Sequence, residues 1–559
     1  VVGRGGAAVT AEEAWSRHVG APVDPDALRA ELSGGTIAEA FHAAAVAGGD
    51  RPALSVDGDA RTHAELDAGA GRFATLLRER GVTAGDALLL AVSSSVAIVE
   101  AYLGAMRAGA VVVLANPSYT EGELRYLVEH SGAVAAVVGP DVAERLRGIL
   151  DTVVDALAQD TSALAVMPVE PAVAQRAGLL AYTSGTTGRP KGVPLDHANV
   201  LSNMRAVLRA WRWTGDDVLV HGLPLFHQHG LGGVGASLLA GGRAVLHSRF
   251  DPEAVCATIA AERATVFLAV PAMYERLVGW DGFAAADLSS LRLLVSGSAP
   301  LSPALAHRVE AAVGALPLER YGTTESGLNV SNPYDGPRKP GAVGFPLPGV
   351  EMAVVDDAGT PVADDTDGEI VVRGPQIFAG YRGDAEATAQ AFFDGGWFRT
   401  GDIGRIDPAD GFLSITGRAK DLIISGGMNV YPREVELALE ESDSVARASV
   451  VGVPSENWGE AVVAAVVPAP GTSVDEEALL AFVGDRLAPY KRPKQLLAVE
   501  DLPRNPMGKV VSADVARLFE EAATLSAYQR LLQRAADEVA AAAAQAPEAQ
   551  PVIDPPPCP

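Results

Sequence analysis

The stretch YTSGTTGRPKGV (182–193) follows an apolar LLA and closes a run of hydroxyls and glycines with one lysine. Ser184, Thr186 and Thr187 offer hydroxyl donors, while Gly185, Gly188 and Gly192 let backbone amides turn inward around an anion. Lys191 adds a cation. The common P-loop reads GxxxxGK[ST]; here the spacing is G-x-x-G-x-x-K, a proline precedes the lysine and no hydroxyl follows it. That loop is therefore excluded. A Ser/Gly linker is the plain alternative, but linkers rarely follow a strand-like apolar run or end in Pro-Lys-Gly.

Outward from this loop the sequence alternates helices and buried strands. THAELDAGAGRFATLLRERG, from Thr62, carries a capping box (Thr62, Glu65), apolar positions at Leu66, Phe73 and Leu77, and Gly81 as a stop. DALLLAVS then reads as a buried strand, VAIVEAYLGAMRAG as a helix and AVVVLANP as another strand, with similar units through Val220, Val245, Phe267 and Val295. The expected class is α/β with largely parallel sheets. Between about 340 and 416 the texture changes to short alternating strands such as VEMAVVDDAGTPV, which suits antiparallel hairpins or a barrel. After GRAKDLIISGGMN comes an α+β segment of about 100 residues. The expected division is a large domain over 1–419, a small one over 420–525, and a tail over 526–559 whose alanine-rich helix frays into a proline-rich, disordered end.

With 559 residues and 48% apolar content, the chain exceeds the ~250–300 residues at which single cores split. A formal charge of -26, from 44 basic and 70 acidic residues, argues against nucleic acid and anionic membranes as partners. Cys256 and Cys558 stand far apart without a CxxC, so neither a disulfide framework nor a structural zinc site is supported, and a reducing cytoplasm fits. The N-terminus lacks a signal-peptide pattern. The most apolar segment, 101–114, falls far short of the ~20 uninterrupted apolar residues of a membrane span.

The loop and five further stretches in order, LPLFHQHGL (223–231), YGTTES (321–326), WFRTGD (397–402), GRAKDLIISGGMN (417–429) and PRNPMGK (503–509), resemble the signatures of the adenylate-forming superfamily: acyl-CoA and aryl-CoA synthetases, peptide-synthetase adenylation domains and luciferases. The match spans about 35–520. The resemblance implies a large N-terminal AMP-binding domain of two α/β sheet subdomains with a β-barrel-like part, and a small mobile C-terminal domain. It also implies ATP and Mg2+ as cofactors, CoA as cosubstrate, with an acyl carrier protein as the alternative acceptor, and a small carboxylic acid as substrate. A carboxylate is a poor electrophile that ATP converts to an acyl-adenylate. The site must therefore gather many negative charges, which calls for cations, magnesium and oriented amides.

Residue by residue, the resemblance places Thr183, Ser184, Gly185, Thr186, Thr187, Gly188 and Lys191 at the phosphates. It places Tyr321, Gly322, Thr323 and Thr324 at the nucleotide, with Tyr321 beside the adenine, and Glu325 with Thr187 at the metal. Asp402 and Arg418 fall at the ribose hydroxyls, and Lys509 at the carboxylate and α-phosphate during adenylation. Lys420 is implied as the hinge that withdraws Lys509 and presents Gly426 and Gly427 to a pantetheine tunnel. His227 lines the acyl pocket and gates access of the thiol, which needs orientation more than a base. The basic run YKRPK (490–494) reads either as a solvated patch or as a contact for the CoA phosphates.

Fold and machinery do not fix the acid. LPLFHQHGL, MYERL with Arg276, SGSAPL with Ser298, and NVSNPYDG (329–336) are similar to malonyl-CoA and methylmalonyl-CoA synthetases, in which the matching arginine and serine hold the distal carboxylate. A buried second carboxylate needs a bidentate cation. Arg276 also has a plain reading as a helix-surface arginine. Those enzymes read YGMTET where this chain has YGTTES followed by Gly327 and Leu328, and Thr323 with Gly327 makes room for a larger or aryl acid. Three readings stay open: a CoA ligase for a small dicarboxylic acid, a ligase for another acyl or aryl acid, and a specialised member such as a diazotase that activates nitrite for an arylamine.

Overall fold

Uninterrupted aliphatic runs build the central strands, because a strand covered on both faces has no polar side to alternate with. The structure is a computed structural model describing residues 10–169, 175–183, 190–425, 428–455, 458–505 and 509–522. Ala87–Ala91 (ALLLA) is buried at every position. It belongs to a six-stranded sheet ordered Thr152–Asp155, Ala133–Val138, Ala87–Ala91, Val111–Leu114, Ala177–Thr183, Lys191–Asp196. Neighbours are parallel except the last pair, which is antiparallel with Thr183 opposite Lys191.

A nine-stranded sheet runs from Phe345–Pro346 through Gly327–Ser331, Leu318–Thr323, Leu293–Ser296, Val266–Ala269, Val218–His221, Arg243–Leu246 and Pro52–Val56 to Asp59–Thr62. Its inner strands are parallel and its two ends are antiparallel. Helix His63–Glu79 begins in the expected capping box: Glu65 N donates to the Thr62 hydroxyl at 3.2 Å and Thr62 N donates to the Glu65 carboxylate at 2.9 Å. Helix Val96–Arg107 crosses it closely at Gly104, where a Cβ would lie 2.8 Å from the Ala70 carbonyl oxygen.

The stretch with alternating texture forms a five-stranded antiparallel sheet of Glu351–Val355, Gly368–Arg373, Phe392–Phe393, Trp397–Ile406 and Leu413–Arg418. Its pairs are those of hairpins. The first helix, Ala11–Val19, is tied to the same part of the chain: Trp15 is fully buried and its indole N–H donates to Val350 O at 2.8 Å. Arg17 lies 4.2 Å over the Phe345 ring and donates to Asp410 O at 2.9 Å.

The chain divides into two compact units, Val1–Lys420 and Asp421–Pro559. The second is α+β. Hairpin Ile423–Ser425/Met428–Val430 and strands Val445–Ser455, Gly459–Pro468 and Gln495–Ala498 form one sheet, with helices Pro432–Glu440 and Glu476–Gly484. The alanine-rich and proline-rich tail lies outside the described residues. Among the described residues no helix is long and apolar enough to cross a membrane.

Candidate active site

The stems of the 182–193 loop are held by aromatic and basic side chains. Ser184, Gly185, Thr186, Thr187 and Gly188 lie outside the described residues; Thr183, Lys191 and Gly192 are within them. His130 Nδ1 and the Tyr182 hydroxyl are 2.9 Å apart, and Tyr126 OH donates to Pro190 O at 2.7 Å. Arg382 N donates to Gly192 O at 2.9 Å, and its guanidinium donates to the carbonyls of His130 and Ser131. A Cβ on Gly192 would sit 3.1 Å from His130 and 3.3 Å from Arg382, so this close approach explains the glycine. Lys191 Nζ stands 4.7 Å from the centroid of the Tyr381 ring.

The YGTTES turn joins Leu318–Thr323 to Gly327–Ser331. A Cβ at Gly322 would fall 2.0 Å from Gly327 O, so only glycine fits there. Thr323 and Ser326 hydroxyls are 2.7 Å apart, Asn329 donates to Ser326 at 2.7 Å and Gln376 to Asn329 at 3.2 Å, which locks the turn from beneath. Thr324 O accepts from Gln228 at 3.4 Å. Glu325 accepts from Tyr381 OH at 3.0 Å through Oε1, and its carbonyl accepts from Phe378 N. Burial, the Glu325 charge and this hydrogen bond push the Tyr381 hydroxyl pKa up, keeping it protonated as a donor.

Tyr321, Asp402 and Arg418 meet. Tyr321 OH donates to Asp402 Oδ2 at 2.6 Å and Arg418 Nε pairs with Oδ1 at 3.0 Å, Asp402 and Arg418 being opposite in the sheet. Asp402 is buried. A carboxylate has about four lone-pair sites, so two remain for a vicinal diol while both neighbours stay bound.

On the other side of the turn lies a cluster short of partners. His227 precedes helix Gln228–Leu239, and burial lowers its pKa to about 4, so it is neutral at physiological pH. His229 Nδ1 is 3.0 Å from Ser298 Oγ, while its shielded Nε2 has no partner among the described residues. Burial first, then Arg320, hold His229 neutral. Ser298 sits at φ +70°, a left-handed conformation that a serine adopts at a cost. Arg320 lies against Gly297, where a Cβ would meet its Nε at 2.3 Å, and burial lowers its pKa to about 10. Among the described residues no side-chain hydrogen bond or ion pair is formed by Arg320.

Arg276 does not join this group. It is exposed on helix Pro271–Val278, whose buried positions are Pro271, Tyr274 and Leu277. Its guanidinium donates to Phe250 O at 3.0 Å and stacks 4.9 Å over the Phe250 ring. The arginine beside Ser298 is Arg320, one residue before YGTTES. Its signal was a lone cation within a strand, just before YGTTES, and Tyr381 had none, being 56 residues from its partner Glu325.

A small cleft open to solvent lies beside Gly327 and is lined by Tyr102, Asn203, Met204, Gln228 and Leu231, among others. Asn203 clamps its wall, donating to Leu328 O at 2.7 Å and accepting from Leu328 N at 3.0 Å.

In the second unit Lys509 is exposed, its N–H donates to Asn505 Oδ1 at 3.0 Å, and its carbonyl accepts from Asn505 N. Gly426 and Gly427 lie outside the described residues, between the two strands of the first hairpin, and Lys420 is in the short 3-10 turn Ala419–Asp421. In YKRPK, Lys491 binds Glu434 at 2.6 Å, Arg492 donates to Leu487 O and Lys494 to Pro489 O.

The family model for AMP-binding enzymes matches residues 41–382, and that for the AMP-binding enzyme C-terminal domain matches 434–509. The chain belongs to the adenylate-forming superfamily, as an AMP-forming acid–CoA ligase acting on a carboxylic acid, ATP and CoA. It is 38% identical over 467 residues to the feruloyl-CoA synthase of an Amycolatopsis species, covering 83% of this chain and 94% of that protein. It is 34% identical over 472 residues to the mitochondrial malonate–CoA ligase ACSF3 of Bos taurus, covering 76% and 80%. The crystal structure of ATP-bound MatB from Rhodopseudomonas palustris superposes with a TM-score of 0.81 at 38% identity, covering 87% of this chain and 99% of that one.

Proposed function

We propose that the acid is a small dicarboxylate of the malonate type, its distal carboxylate held by Arg320 with Ser298 and His229. The observation that carries this reading is a half-buried guanidinium that has no anion among the described residues, beside a strained serine and a histidine with an unpartnered nitrogen. A cation partly withdrawn from water gains from a paired anion, and a carboxylate fits its fork in two parallel hydrogen bonds. Lys191 and the loop would hold the β- and γ-phosphates, Asp402 and Arg418 the ribose, and Lys509 the reacting carboxylate and α-phosphate as charge develops. Hinge motion at Lys420 would then bring Gly426 and Gly427 to the thiol. Mg2+ fits Glu325, since it is usually bound by one or two carboxylates with phosphates and waters, and only Oε1 is taken by Tyr381. When bound it supplies charge neutralisation on the phosphates.

A larger acyl or aryl acid is the second reading, favoured by the cleft at Gly327. ATP–pyrophosphate exchange across malonate, methylmalonate, hydroxycinnamates, benzoate and nitrite, followed by mass analysis with CoA, decides between them. Exchange with malonate and its loss in Arg320→Met support the first reading. Exchange with hydroxycinnamates alone would sink it.

A further inference from the structure

One aromatic side chain touches the two opposite charges of the phosphate region. The Tyr381 ring lies under Lys191 Nζ at 4.7 Å and its hydroxyl donates to Glu325 Oε1 at 3.0 Å. Neither Lys191 nor Glu325 forms an ion pair among the described residues. The segment carrying the tyrosine is stitched to both sides: Phe378 N donates to Glu325 O, and Arg382 N to Gly192 O, next to Lys191. The Tyr381 amide itself donates to Thr388 Oγ1 at 2.9 Å, which fixes the ring's origin. A lysine and a carboxylate sharing one small site attract each other strongly where water is scarce. A pair formed between them would have to be broken before either could serve a nucleotide.

We infer that Tyr381 is a positioning residue that keeps Lys191 and Glu325 apart in the nucleotide-free enzyme, so that neither charge cancels the other before ATP arrives. The ring face gives the ammonium a weak partner that phosphate oxygens displace easily. The hydroxyl gives the carboxylate a neutral donor that it keeps while its second oxygen stays available. This rests on the phosphate reading of Lys191, and the two can be tested separately.

The experiment measures ATP affinity in EDTA, by calorimetry, on the full chain and its variants. Lys191→Ala tests the reading beneath the inference, with a loss of about tenfold expected, or about 1.4 kcal/mol. Tyr381→Ala should also lose about tenfold, and Tyr381→Phe, which keeps the ring, about threefold or less. The decisive comparison is Glu325→Gln. Any gain in metal-free affinity should be at least about threefold larger in the Tyr381→Ala background than beside Tyr381, because only there has Lys191 collapsed onto the carboxylate. Equal gains in both backgrounds overturn the inference, since a merely structural tyrosine gives additive effects. So does an unchanged affinity in Tyr381→Ala. If the alanine variant melts, Tyr381→Leu carries the same cycle with the apolar volume kept. No effect of Lys191→Ala would instead defeat the phosphate reading.

Discussion

The two sides of the YGTTES turn treat their polar groups in opposite ways. On one side Asp402 is buried but doubly bonded, by Tyr321 and Arg418. On the other, among the described residues, the half-buried Arg320 forms no side-chain hydrogen bond or ion pair and the shielded His229 Nε2 has no partner, next to a serine held at φ +70°. A site that is already satisfied is rigid and accepts its ligand through spare lone pairs. A site left unsatisfied discriminates, because only a ligand with the complementary charge relieves it. The common nucleotide and the variable acid are thus met by two different designs.

The largest effect expected falls outside both sides. Lys509→Ala should reduce ATP–pyrophosphate exchange by about 10³-fold, in the range of other removed charge stabilisers, yet spare thioester formation from synthetic acyl-adenylate. Loss of both half-reactions would contradict a two-site scheme. Arg320→Met should cut kcat/KM for malonate about 100-fold while leaving a monocarboxylic acid nearly unchanged; equal losses for both acids would make Arg320 structural.

Acid should also distinguish the two sides. His221, His227 and His229 are neutral in the fold, burial lowering His221 to about 3 and His227 to about 4 from an ordinary 6.5. In that window the unfolded chain binds more protons. The stability that neutral His221 and His227 confer is therefore complete above about pH 6.5 and is lost as pH falls toward about 4, at a cost on the order of 2 kcal/mol for each of these two; His229 acts in the same direction. Urea unfolding of His227→Gln across this range should show a shallower slope, and an unchanged slope would refute the assignment. Asp402→Asn should raise the KM for ATP about tenfold, consistent with losing a charge-assisted pair, without touching the KM for the acid. Gly327→Ala is the mildest: its Cβ would meet Asn203 Oδ1 at 2.7 Å at φ +60°, costing about 1 kcal/mol and a few-fold in turnover of bulky acids only.

Much of this was legible because it is local. ALLLA could only be a strand covered on both faces, and Thr62 with Glu65 announced a helix start three residues apart. The order of the six motifs carried the family. Arg276 misled because a motif fixes position along the chain but not which way a helix faces: with Tyr274 and Leu277 buried, the residue between them on the outer face goes to solvent. Arg320, Tyr381 and Asn203 escaped for the converse reason. The partners of Asn203 and Tyr381 are 125 and 56 residues away, and no periodicity records a contact made only when distant parts of the chain pack together.

The indole of Trp15 bonds to Val350, 335 residues further on, and Arg17 to the carbonyl of Asp410. A ribosome adds about 5–20 residues per second, so the first helix waits tens of seconds for the surface that buries it. During that interval Trp15 is exposed on a nascent chain, and the last stretch of the first unit to be synthesised completes the burial of its beginning.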